Sequence, residues 1–175
     1  MYKVLLVDDE ALIREAISEN TRWKELGYEL MGTCKNGREA MERLDQEEAD
    51  LVLTDICMPY VDGMELTRYL YEHHRGVKVI IISGYDDFEY AKTAVKYQVM
   101  DYILKPITAK ELAQTLTRVK EKLDEERFQK SDMKRIRGAY MSNLPILRGR
   151  FLNSLLMGNV GEQEIQEKLS DYQIK

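Results

Sequence analysis

The chain has 175 residues and a mass of about 20.5 kDa, room for one ordinary domain with a few dozen residues to spare. Its 26 Lys and Arg against 31 Asp and Glu leave a net charge of −5, which argues against a chain that grips nucleic acid by itself, since phosphate binding wants a basic face. A composition of 44% hydrophobic and 33% charged residues is globular; three prolines and ten glycines exclude a low-complexity chain, and two cysteines exclude a disulfide framework. The two adjacent histidines and these cysteines offer no zinc-ligand spacing either. The opening Met-Tyr-Lys-Val-Leu-Leu-Val reaches acids at Asp8 and Asp9, unlike a signal peptide. No uncharged run approaches the roughly 20 residues of a membrane span, so a soluble cytoplasmic protein is expected.

In chain order, the first apolar run is Val4–Val7, followed by a helical pattern at Leu12, Ile13, Ala16 and Ile17. Tyr28–Gly32 is a weaker, more polar strand that suits a sheet edge. Asn36 with Glu39 announces a helix carrying Ala40, Met41 and Leu44. Leu51–Leu53 and Val77–Ile82 are nearly all apolar, as parallel strands buried on both faces should be. Between and after them, Asp62 with Glu65 and Asp86 with Glu89 mark two further helix starts. Met100–Leu104 is the fifth strand, and Thr108 with Glu111 forms a capping box before the last helix of the series. Strand–helix units repeated over about 120 residues predict a doubly wound α/β sheet.

Past that point the chemistry changes. Leu112, Leu116, Val119 and Leu123 make a coiled-coil-like seam, which Glu126 and Lys130 interrupt after barely two heptads. One amphipathic helix packed on the sheet and then extended accounts for this better than a long dimeric coil. From Lys120 to Arg137, 12 of 18 residues are charged, as in a solvated helix or linker. Leu144-Pro145 is expected to start a new segment. Phe151, Leu152, Leu155 and Leu156 form a helical face, Gly158 stops it, and Glu162–Leu169 is another short helix. So few residues bury no respectable core unaided, and the chain reads as stopping inside a second domain.

Ligands of open α/β sheets bind outside the carboxyl ends of the strands, and the unusual polar residues sit there. The first strand runs into Asp8-Asp9, the third into Asp55, the fourth into Ser83 and the fifth into Lys105. Converging carboxylates repel one another, and a hard divalent cation such as Mg²⁺ relieves that. One carboxylate then becomes a nucleophile toward phosphorus, with an ammonium group and a hydroxyl offsetting the charge on the transferring oxygens. Each residue alone has a duller reading: an acid at a helix start, a turn cap, an ordinary Ser-Gly turn, a surface lysine. Four together, each at its own strand's end, make a phosphoryl-transfer site the better account.

These residues resemble the receiver domains of two-component response regulators: Val-Asp-Asp-Glu at 7–10, Asp55 with Met58-Pro59 and Gly63, Ser83-Gly84, and Lys105-Pro106. The resemblance covers roughly residues 1–120 and implies a flavodoxin-like five-stranded parallel sheet of order 2-1-3-4-5, here with a C-terminal helical extension. It implies Asp55 as phosphoacceptor, with Mg²⁺ placed by Asp8, Asp9, Asp55 and the backbone carbonyl of Cys57. Lys105 would pair with the phosphoryl group, and Ser83 with Tyr102 would be the switch pair. It also implies a cis Lys105–Pro106 bond. Ile-Ser-Gly-Tyr-Asp-Asp-Phe-Glu-Tyr-Ala at 82–91, Met-Asp-Tyr-Ile-Leu-Lys-Pro at 100–106 and Trp23 with Gly27-Tyr28 are similar to the YesN subgroup. Trp23, Tyr85 and Phe88 also read simply as packing aromatics. Members of that subgroup join a receiver to an AraC-type DNA-binding domain through a long middle region, whose opening Phe151–Gly158 resembles.

The expected organisation is therefore a receiver over 1–120, a charged helical linker over 121–142 and the start of a middle domain over 143–175. The expected function is a phosphorylation-activated transcription regulator. Its partners would be a sensor histidine kinase, DNA through a domain outside this chain, and a second copy on phosphorylation. A stand-alone relay or docking receiver is the alternative, and the segment after Leu123 speaks against it. An aspartyl-nucleophile hydrolase is a third class, but Thr54-Asp55-Ile56-Cys57 lacks the second Asp of that pattern, and no glycine-rich nucleotide loop is present.

Overall fold

The computed structural model describes residues 1–84, 88–158 and 160–172, with the backbone alone for Phe88, Glu89, Glu162 and Gln163. The elements in order are β1 (Tyr2–Val7), α1 (Ala11–Asn20), β2 (Tyr28–Cys34), α2 (Gly37–Leu44), β3 (Leu51–Asp55), α3 (Gly63–His73) and β4 (Lys78–Ser83). They continue with α4 (Phe88–Lys96), β5 (Asp101–Leu104), α5 (Ala109–Leu156) and α6 (Glu162–Asp171). The strands form one parallel five-stranded sheet in the order β2-β1-β3-β4-β5, with β2 at an edge. Contacts divide the chain into two compact units, Met1–Glu121 and Lys122–Lys175.

Alternation along the strands sends successive residues to opposite faces. Leu5, Val7, Val52, Val79 and Ile81 join Ala40, Leu44, Leu66, Leu70 and Ala94 in one buried cluster under α2, α3 and α4. Their neighbours Val4, Leu6, Leu51, Leu53, Ile80 and Ile82 are also buried, so both faces are covered, as the unbroken apolar runs require. On that second face Leu112, Leu116 and Val119 of α5 are buried, and the Tyr28 hydroxyl donates to the Leu116 carbonyl oxygen at 2.8 Å.

Helix starts follow their caps. Asn36 accepts from the Glu39 N–H at 2.9 Å, Asp62 from Glu65 at 2.7 Å, and Thr108 from Glu111 at 3.2 Å. The reciprocal bond at α2 is displaced: the Glu39 carboxylate accepts from Lys35 N–H. The Asp86…Glu89 signal and the side chains of Tyr85 and Phe88 lie outside the described residues. Trp23 is buried, its indole N–H donating to the Ser18 carbonyl, in keeping with a packing role.

The pattern at Leu12, Ile13, Ala16 and Ile17 forms the expected helix, though only part of it faces inward. In α1 only Ile17 is buried and Ile13 half-buried, whereas Leu12 is 79% exposed and Ala16 is exposed. Ile13 and Ile17 share one face, and Leu12 and Ala16 sit a quarter turn away. No break in the helix accompanies Leu144-Pro145: α5 runs through Pro145. A proline there leaves the carbonyl four residues back unbonded by the helix; that residue is Met141, which is exposed, so water can satisfy it. Further on, Phe151 is buried while Leu152 and Leu156 are exposed, and Gly158, at φ +73°, follows the helix end. Within the second unit, Phe151 meets Tyr172 edge-on at 5.8 Å and Arg148 Nε donates to the Tyr172 carbonyl at 2.6 Å.

Candidate functional site

The carboxyl ends of the strands bring four of the expected residues together. β1 hands the chain to Asp8, whose N–H donates to Cys34 O and whose Oδ1 accepts from Glu10 N–H at 2.9 Å, turning the backbone toward α1. One helical turn later, Arg14 Nη1 donates to the Asp8 carbonyl oxygen at 2.6 Å and pins that turn. Asp55 ends β3; its Oδ1 accepts from Ile56 N–H at 2.8 Å. Gly63, opening α3, comes so close that a Cβ there would collide with the Asp55 carbonyl, while its N–H donates to Ile56 O at 2.9 Å. Only glycine lets α3 start at this distance from the acceptor strand.

Lys105 follows β5, with its N–H on Ser83 O at 2.7 Å and a cis bond to Pro106. Its ammonium lies 3.0 Å from Asp8 Oδ2, 3.4 Å from Asp55 Oδ2 and 3.4 Å from Glu10 Oε1. Asp8 and Asp55 are buried, and Asp9 is exposed. One oxygen from each of the three aspartates lies within 4.8 Å of the others. Burial, the dominant influence, pushes the Asp55 carboxyl above its ordinary range, Lys105 pulls it down, and the negative Asp8 pushes it up again. Burial alone would lower the Lys105 ammonium, but the hydrogen bond and charge of Asp8, aided by Asp55, carry it upward. Ser83 is fully buried at the end of β4, on the strand next to Asp55. Tyr102 is half-buried on β5, packed against the main core cluster. Cys57 is exposed, and its thiol is pushed up by burial of its sulfur first and then by Asp55 and its acidic neighbours.

Sequence reasoning passed over Glu10 and Arg14. Glu10 stood in the quoted Val-Asp-Asp-Glu run, but a third acid on the lysine is visible only once β1 and β5 converge. The signal for Arg14 was a cation placed one turn into a helix that follows two acids.

Comparison with known proteins decides the family: residues 4–117 match the response regulator receiver domain. The chain belongs to the response regulator receiver family. Receiver domains of response regulators are phosphoacceptors, and they generally bind Mg²⁺; the three converging carboxylates are the hard oxygen donors such an ion takes. This receiver is similar to the uncharacterized transcriptional regulatory protein YesN of Bacillus subtilis, 39% identical over 119 residues, covering 68% of this chain and 32% of that protein. It is similar to the transcriptional regulatory protein HptR of Staphylococcus aureus, 38% identical over 129 residues, 74% of this chain and 50% of that one. The chain thus spans a third to a half of the length of these curated relatives. Among solved structures, the receiver domain of AraT, a response regulator from Geobacillus stearothermophilus, is 40% identical with a TM-score of 0.68 over 72% of this chain and 98% of that one. A two-component transcriptional regulator AraC from Clostridium phytofermentans is 31% identical with a TM-score of 0.67, covering 73% and 98%. Among the described residues, no helix is long and apolar enough to cross a membrane.

Proposed function

We propose that Asp55 is the phosphoacceptor of a cytoplasmic transcription regulator whose output is switched by this receiver. The observation that carries the reading is the placement of Asp55: buried at the end of the central strand, 3.4 Å from the Lys105 ammonium and within reach of Asp8 and Asp9. A carboxylate oxygen of Asp55 attacks phosphorus, an O–P bond forms, and the N–P bond of a phosphohistidine on a sensor kinase breaks, its electron pair leaving on the imidazole nitrogen. Mg²⁺, held by Asp8, Asp9, Asp55 and the Cys57 carbonyl oxygen, would supply positive charge against the phosphoryl oxygens. Lys105 keeps Asp8 and Asp55 from repelling each other before transfer and faces the new phosphoryl group after it. Ser83 donates its hydroxyl to a phosphoryl oxygen, and Tyr102 turns further inward beside β5 into the space this opens. Helix α4, β5 and the start of α5 thereby shift between two populations, and a second copy docks on that face. The chain turns over no external substrate. Residues 1–120 are the receiver, 121–142 a charged helical linker and 143–175 the opening of a middle domain that leads to an AraC-type DNA-binding part; the relatives named as transcriptional regulatory proteins, and the Clostridium phytofermentans regulator named AraC, support this reading.

The test is intact-mass measurement after incubation with acetyl phosphate. Wild type with Mg²⁺ should gain one phosphoryl group, and EDTA should prevent the gain. Asp55→Asn and Asp9→Ala should stay unmodified, and Ser83→Ala should label while losing the Tyr102 movement read by NMR. An undiminished adduct on Asp55→Asn would sink the proposal.

A further inference from the structure

The net charge of −5 conceals a strongly cationic face on α5. Arg127, Lys130, Lys134 and Arg137 follow a 3-4-3 spacing, so at 3.6 residues per turn they share a sector about 80° wide. All four are exposed. No acid falls within the sector; Glu126 borders one edge, Asp124 lies about 60° beyond the other, and Glu121, Glu125 and Asp132 lie round the far side. Among the described residues Lys130, Lys134 and Arg137 form no ion pair, while Asp132 pairs at 3.2 Å with Arg135, off the stripe. Like charges three and four residues apart weaken a helix. Four cations share this sector with no acid inside it, and an external polyanion would offset their mutual repulsion.

We propose that this stripe is a sequence-independent contact for the phosphate backbone of duplex DNA. It rests on the reading of the chain as part of a DNA-binding regulator, and not on the chemistry at Asp55. From Arg127 to Arg137 the helix rises about 15 Å, a length over which one strand of a duplex offers about four phosphates. An anionic membrane fits less well, because the sector opposite the stripe, where an interfacial helix carries its apolar face, mixes the exposed Phe128 and Ile136 with the acids Glu121, Glu125 and Asp132.

The 175-residue chain, without phosphodonor, is titrated against a fluorescein-labelled 20-base-pair duplex of arbitrary sequence and followed by anisotropy. Weak binding is expected at low salt, equal for a scrambled duplex, with log K falling against log salt at a slope of roughly −3 to −4. Lys130→Glu with Lys134→Glu should lower affinity about tenfold or more, and Arg127→Gln with Arg137→Gln should lower it less. Circular dichroism and Asp55 labelling, unchanged in both variants, separate this outcome from misfolding and from failure of the phosphoacceptor reading. Absence of binding at low salt overturns the proposal, as do affinity indifferent to these substitutions and capture by phosphatidylglycerol vesicles without capture by DNA.

Discussion

Asp55 and Cys34 both sit buried at strand ends, and both are driven toward their neutral forms. For Asp55 burial leads, Asp8 adds to it and Lys105 opposes. A folded-state pKa above the unfolded one favours the protonated acid, so this residue's contribution falls as pH rises through the ordinary carboxylate range. At pH 7 without divalent cations, Asp55→Asn should therefore melt a few degrees above wild type, and saturating Mg²⁺ should close the gap by raising the wild type; differential scanning calorimetry measures both. Cys34 is raised from 9.0 to about 11, by burial first and then by Glu39, against Arg43. Its contribution is present below pH 9 and is lost as pH climbs toward 11, on the order of 2–3 kcal/mol. Urea melts from pH 8 to 11 should show a steeper decline for wild type than for Cys34→Ala. Iodoacetamide at pH 8 should label the exposed Cys57 alone until the chain unfolds.

At the scale of elements, α5 ties the receiver's second face together. Leu116, fully buried, should cost about 2–5 kcal/mol when cut to alanine. Tyr28→Phe removes one buried hydrogen bond to the Leu116 carbonyl and should cost about 1 kcal/mol, as should Thr108→Ala at the helix cap. Both losses are readable as urea midpoints. The strands were legible because burial on both faces leaves uninterrupted apolar runs such as Val79–Ile82, and the caps because an oxygen three residues before a Glu is a local signal. The inward face of α1 was less legible: Leu12-Ile13 and Ala16-Ile17 are adjacent apolar pairs, and only packing chooses which member of each turns in. Pro145 leaves α5 unbroken because an exposed helix tolerates a missing donor that a buried one would not. At the site, Asp8, Asp9, Asp55 and Lys105 could be read off strand ends, but the Arg14 bond to the Asp8 carbonyl and the Glu10 contact depend on how a turn folds.

At the scale of the molecule, the division near Glu121 and the exposed cations that follow predict where the chain opens first. Limited trypsin digestion should cut among Lys122, Arg127, Lys130 and Lys134 before any site in the sheet, and the N-terminal fragment should still take a phosphoryl group from acetyl phosphate. Early cuts within Lys3–Lys105 would contradict the two-unit organisation. The close approach of Gly63 to the Asp55 carbonyl has a consequence for inheritance. Every other amino acid has a Cβ, so any missense change in that codon must push α3 away from the acceptor or shift the acceptor itself. In a saturation library selected for signalling, Gly63 should be as empty of survivors as Asp55, though it offers phosphorus nothing at all. A genetic screen would thus score as essential a residue whose entire contribution is the room it leaves.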